Sequence, residues 1–285
     1  MAECCRQLHV DRISEAIAEA CVEINYHMPS DFRRALEKAR EKEQSPLGRQ
    51  VLGLLLANAD LSAEGKFPYC QDTGYAVVFV DLGQDVHLVG GDLEAAINRG
   101  IAEGYKKGYL RASVVDDPVF ARKNTGDNTP GFIHYRVVPG DKVTIQVDAK
   151  GGGSENMARH AMLKPADGVE GVKRFVLGAI EEAGSNACPP GIIGVGVGGD
   201  FEICAVLAKR ALMREVGAAN PDPKMAALEA ELLEAANALG LGPEALGGTT
   251  TVLAVHVESY PTHIAAMPVA VNIDCHAHRT KRIVL

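Results

Sequence analysis

Across residues 10–58 the apolar side chains recur at helical spacing in three successive runs, and beyond Gly74 the period changes to two. That switch constrains the chain more than any other feature, because helices must come first and strands mixed with helices must follow. In the first run Ile13, Ile17, Cys21 and Ile24 form one stripe, which Pro29 ends. The second run starts near Ser30 or Asp31 and turns Phe32, Leu36 and Ala39 inward, leaving 33–43 as a solvated, charged face. Ser45-Pro46 reads as the cap and first position of a third helix carrying Leu47, Val51, Leu54, Leu55 and Asn58.

The remainder alternates. Residues 75–81 read as a strand, and Gly90-Gly91-Asp92 caps a helix to about Lys107. Ile133, Tyr135 and Val137, then Pro139-Gly140-Asp141, then Val143, Ile145 and Val147 predict a β-hairpin. Asp167-Gly168-Val169-Glu170 predicts a helix cap with its reciprocal carboxylate. A buried strand over 191–197 follows, then helices over 202–215 and from Asp222-Pro223 to Gly240, and strands over 249–258 and 264–273. With no internal repeat, low-complexity segment or linker, the expectation is a mixed α+β chain forming one domain over 1–285.

A composition of 47% hydrophobic and 23% charged residues is that of a globular protein, and a net charge of −8 argues against a nucleic-acid surface. An anionic substrate would have to be held by a local cation or a backbone nest. The start of the chain has no apolar h-region, and no run approaches the ~20 apolar residues of a membrane span, so a cytoplasmic protein is expected. Seven cysteines at long, unrepeated spacings do not make a disulfide framework, which leaves metal binding or reactivity open.

Three stretches carry chemistry. Phe67-Pro68-Tyr69-Cys70-Gln71-Asp72-Thr73-Gly74 places a soft metal ligand, an amide, a carboxylate and a hydroxyl in a row, unless it is merely a turn with a buried Cys. Lys150-Gly151-Gly152-Gly153-Ser154-Glu155-Asn156 can turn backbone N–H groups onto an anion, or can be a hinge. Gly194, Gly196 and Gly199 match G-x-G-x-x-G, but a helix and not a second strand follows the next helix, so close packing explains them better than a dinucleotide. Cys21 lies on an apolar stripe, and Cys4 and Cys5 lie at the terminus with no role. Cys70, Cys188 and Cys275 sit in loops or at strand ends. Local chemistry leaves three options for that trio: an iron–sulfur cluster, zinc with His276 or His278, or no metal.

Taken in order, Phe67 to Gly74, Leu110-Arg111, Lys150 to Asn156, Ala187-Cys188-Pro189-Pro190-Gly191, His263 and Asn272-Ile273-Asp274-Cys275 resemble the α-type catalytic region of the class I iron–sulfur fumarases and the related L(+)-tartrate dehydratases. The resemblance spans nearly the whole chain. It implies a [4Fe-4S] cluster held by Cys70, Cys188 and Cys275 with one open iron, and a dicarboxylate (fumarate or malate) surrounded by Gln71, Asp72, Arg111, Gly152 and His263. Asp72 and His263 are the implied acid–base pair. Their bland alternatives are an Asx-turn carboxylate and a satisfied core histidine. The chain ends at Leu285, so the β-type domain is expected on a separate β subunit, within a higher heteromer. The implied reaction is reversible hydration of fumarate to (S)-malate. Tartrate dehydration is the alternative within the family, and a non-catalytic, metal-carrying assembly subunit is the alternative outside it.

Overall fold

The computed structural model describes residues 5–285; Cys4 lies outside them. In chain order the elements are β1 (Arg6–His9), α1 (Val10–Tyr26), α2 (Ser30–Lys42), α3 (Pro46–Ala63), β2 (Tyr75–Gly83), β3 (Val86–Val89) and α4 (Leu93–Lys107). Next come β4 (Phe132–Val138), β5 (Val143–Lys150), α5 (Gly152–Glu155), β6 (Arg159–Leu163), α6 (Gly168–Ala183) and β7 (Gly191–Gly198). The chain closes with α7 (Phe201–Ala211), α8 (Pro223–Ala238), β8 (Val252–Tyr260), β9 (Met267–Asp274) and β10 (Thr280–Val284). The fold is α+β. Two compact units are interleaved along the chain: Met1–Pro29, Leu61–Gly151 and Arg279–Leu285 form the first, and Ser30–Asp60 with Gly152–His278 form the second.

The first unit is built on a four-stranded sheet of order β10-β5-β2-β4. Ala76, Val78 and Val80 of β2 and Val143, Ile145 and Val147 of β5 turn to one face. There they pack with Ile13, Ile17 and Ile24 of α1 and Ile97 and Ile101 of α4. The Asp92 carboxylate accepts the Ala95 N–H at 2.7 Å and so caps α4 as expected. The expected β4–β5 hairpin is not formed. β2 lies between the two strands, parallel to β4 and antiparallel to β5. Val77 to Val80 of β2 are buried on both faces, which suits a central strand, whereas β4 exposes Phe132, Tyr135 and Val137 and takes the edge. The alternation marked two strands correctly and said nothing of what would insert between them.

The second unit has the sheet order β6-β9-β7-β8, with β7 parallel to β8 and antiparallel to β9. Ile193 and Val195 of β7 face the core shared with α6, α8 and β9. The alternate residues, Gly194 and Gly196, face α7. A Cβ on Gly194 would stand 2.0 Å from the Ala208 carbonyl oxygen, and one on Gly196 would stand 2.0 Å from that of Cys204. The glycine repeat therefore strips one strand face so that a helix backbone can lie against it, as the sequence context suggested.

Two local expectations fail. Asp167 makes no side-chain cap for α6; its carboxylate instead accepts the Lys164 N–H at 2.8 Å, closing a short 3₁₀ turn ahead of the helix. Glu43, assigned to a solvated face, is fully buried and accepts N–H groups from Ser45 and Thr249, each at 2.9 Å. Burial alone would raise its pKa, but the donors from Thr249, Ser45 and Thr250 outweigh that and hold it below the usual carboxylate value.

Candidate active site

In the first unit the stretch after α3 forms an irregular turn leading into β2. Tyr69 is buried, and its N–H donates to the Asn25 carbonyl at 3.1 Å. Cys70 is half-buried, Gln71 is exposed and Asp72 is half-buried. Asp72 Oδ1 accepts the Gly74 N–H at 3.0 Å, so the Asx turn named as its bland alternative does exist. That contact orients the carboxylate. Gly74 has φ +71°, and a Cβ there would meet the Lys150 carbonyl oxygen at 2.6 Å, so the turn passes too close to β5 for any side chain. Arg279, four residues beyond Cys275, is 1% exposed and donates from Nη1 to the Asp72 carbonyl. Nothing in its sequence neighbourhood marked it. Arg111 is exposed, and the loop that carries it is bonded to this same turn.

In the second unit Cys188 stands at the N-terminal end of β7 in a left-handed conformation, φ 49° and ψ 64°. The His276 N–H donates to the Cys188 carbonyl at 3.1 Å, so the segment carrying Cys275 lies directly against Cys188. The Cys275 N–H bonds to Asp274 Oδ1 at 3.1 Å, and Asp274 Oδ2 lies 2.6 Å from Nδ1 of the buried His278. His276 Nε2 lies 3.0 Å from Glu244 Oε1. Each of the two histidines beside Cys275 thus has one ring nitrogen facing a carboxylate, an arrangement that metal-bound histidines share, so these contacts do not decide against zinc. Among the described residues no three His, Cys, Asp or Glu side chains stand together as a ready metal-ion cage.

The donor set nevertheless fits an iron–sulfur group. Thiolates are the donors that such clusters use. The other buried thiols are in poor settings for one: burial pushes Cys21 up to about 12 and also raises Cys204, and both belong to helices. Cys70, Cys188 and Cys275 lie in irregular backbone next to strand ends. Gly152 opens the four-residue helix α5. Glu155, whose two oxygens bind Lys209 at 2.6 Å and Asn272 at 3.0 Å, fixes this segment to α7 and β9 within the second unit.

His263 is not a core histidine. It is exposed in the β8–β9 turn, where its Nδ1 accepts the Ala265 N–H at 3.1 Å, which leaves the ring proton on Nε2. The Thr262 hydroxyl donates to the Gly199 carbonyl at 2.7 Å, fixing that turn beyond the C-terminal end of β7. Cys188 and Cys275 lie at the other end of the same strands, where Ile192 pairs with Asp274. The seven strand steps of β7 alone span roughly 23 Å. Within one copy of the second unit, then, His263 is not brought to the two cysteines.

A family model described as fumarate hydratase (Fumerase) matches residues 14–284. A protein of Methanocaldococcus jannaschii, provisionally named as an L(+)-tartrate dehydratase subunit alpha, is 39% identical over 284 residues, covering 96% of this chain and 98% of that one. The L(+)-tartrate dehydratase subunit alpha of Escherichia coli strain UTI89 is 36% identical over 282 residues, covering 98% of this chain and 92% of its own; that of strain K12 is 35% identical over the same length. The site thus belongs to a hydro-lyase type of protein. The chain is a member of the fumarate hydratase (Fumerase) family. No helix among its described residues is long and apolar enough to cross a membrane.

Proposed function

We propose that this chain is the α subunit of a [4Fe-4S] hydro-lyase that interconverts fumarate and (S)-malate together with a β-type subunit. The observation that carries the reading is the setting of the thiols: Cys188 and Cys275 abut in irregular backbone, while Cys21 and Cys204 are sealed into helices. Cys70, Cys188 and Cys275 would hold the cluster, which when bound supplies an open iron as a Lewis acid for a hydroxyl that is otherwise a poor leaving group.

The chain's own residues do the rest. Arg111 binds one substrate carboxylate through its fork of donors, with Gln71 and the Gly152 N–H as further donors. Asp72, oriented by the Gly74 N–H, holds or releases a proton at its carboxylate. His263, with its proton on the outward Nε2, stands at the far end of its own sheet and would serve the cluster of a second copy of the chain. The β subunit would complete substrate binding.

A second reading, L(+)-tartrate dehydratase, is favoured by the names of the relatives. One experiment decides between the two. The anaerobically assembled α/β enzyme is titrated with malate, fumarate and L(+)-tartrate while the cluster spectrum and turnover are followed. The first reading requires turnover and a spectral change with malate and fumarate. A response to tartrate alone selects the second reading, and no response to any of the three makes the chain a metal-carrying assembly subunit.

A further inference from the structure

The Asp72 turn and the Arg111 loop are separate in sequence, and two buried side chains join them. Thr73, 2% exposed, donates its hydroxyl to the Arg111 carbonyl at 3.0 Å and accepts the Arg111 N–H at 2.9 Å. One side chain thereby grips both main-chain groups of a single residue, as a neighbouring strand would. Asn128 has no exposed surface and sits in a left-handed conformation, φ 64°. Its Oδ1 accepts the N–H groups of Ser113 at 2.7 Å and Val114 at 3.2 Å, and its Nδ2 donates to the Gly74 carbonyl at 3.2 Å. Tyr105 adds a third tie, its hydroxyl lying 2.9 Å from the Thr73 carbonyl and 3.1 Å from that of Gly74.

Catalysis by oriented groups is sensitive to shifts of about 1 Å. Asp72 directly precedes Thr73, and Arg111 is the residue Thr73 holds, so one hydroxyl fixes both backbones from which these side chains extend. The Arg111 guanidinium has no ion-pair partner among the described residues, so only its backbone anchor sets where the cation starts. We infer that Thr73 is a positioning residue that sets the spacing between Asp72 and Arg111, with Asn128 locking the same seam from the other side. The inference rests on the proposed roles of Asp72 and Arg111 and adds the device that holds them in register.

The test is a double-mutant cycle in the assembled holoenzyme, using whichever dicarboxylate the unmodified enzyme turns over. Thr73→Val keeps the shape and removes the hydroxyl, and it should raise KM about tenfold while kcat falls less. Thr73→Ser should restore KM to within about twofold, since it retains the donor and acceptor. In an Arg111→Ala background, Thr73→Val should change KM by less than about twofold, because the group it positions is gone. A similar KM penalty in both backgrounds would make Thr73 merely structural and overturn the inference. An Arg111→Ala enzyme with unaltered KM would instead overturn the carboxylate-binding role of Arg111, and the inference with it. Should Thr73→Val not fold, as judged by circular dichroism, Thr73→Ala is carried through the same cycle with the same expected results.

Discussion

Stability should fall on mild acidification through one histidine that no motif singled out. His256 of β8 is 2% exposed, and its Nδ1 bonds to the Ala211 carbonyl at 3.0 Å. Burial pushes its pKa down to about 4, the nearby Arg214 charge acts in the same direction, and the Ala211 bond and Glu229 oppose them in part. In the unfolded chain the same imidazole titrates near 6.5. A folded pKa below the unfolded one means that the unfolded state binds the proton first. The contribution of His256 is therefore intact above about pH 6.5 and is lost progressively down to about pH 4. With 1.36 kcal/mol per pKa unit, the loss between pH 7.5 and pH 5 is about 2 kcal/mol. Urea unfolding of the cluster-free chain and of His256→Gln at the two pH values, followed by circular dichroism, isolates this group. The unmodified chain should lose about 2 kcal/mol more than the variant over that range. Parallel pH dependences of the two proteins would refute the buried, neutral histidine.

Gly74→Ala should cost at least about 2 kcal/mol, from the left-handed backbone and from the contact with the Lys150 carbonyl, read as a lowered urea midpoint. Glu43→Gln should cost about 2 kcal/mol, because its amide group would face the donors of Ser45 and Thr249; thermal unfolding checks this. Asp72→Asn in the assembled enzyme should lower kcat about 10²- to 10⁴-fold with the cluster spectrum intact, and full turnover would remove Asp72 from proton transfer.

Much of the helix layout could be read from periodicity, since Ile13, Ile17, Cys21 and Ile24 do form the buried stripe of α1. Asp92, Asp200 and Asp222 cap their helices through local bonds that a short window of sequence contains. Pairing between distant strands is not local. The insertion of β2 between β4 and β5, and the short strands β1, β3, β6 and β10, depend on partners that alternation does not name. The same limit applies to the site. Cys70-Gln71-Asp72 stood out by residue type, but the groups that hold it do not. Arg279, Tyr105 and Asn128 reach the turn from three separate segments, and each looks ordinary in its own neighbourhood. His263 was found by family pattern, whereas its position at the far end of the β7–β8–β9 sheet follows only from register.

The proposed iron–sulfur cluster with one open iron depends on Cys70, Cys188 and Cys275 acting together as its ligands. Anaerobic reconstitution of the chain and of its three single Cys→Ser variants, with iron, acid-labile sulfide and zinc measured on each, tests it most directly. The unmodified chain should carry iron and sulfide in equal amounts, and every one of the three variants should show a marked loss. Uptake of zinc without sulfide, or a cluster that survives all three substitutions, would contradict it.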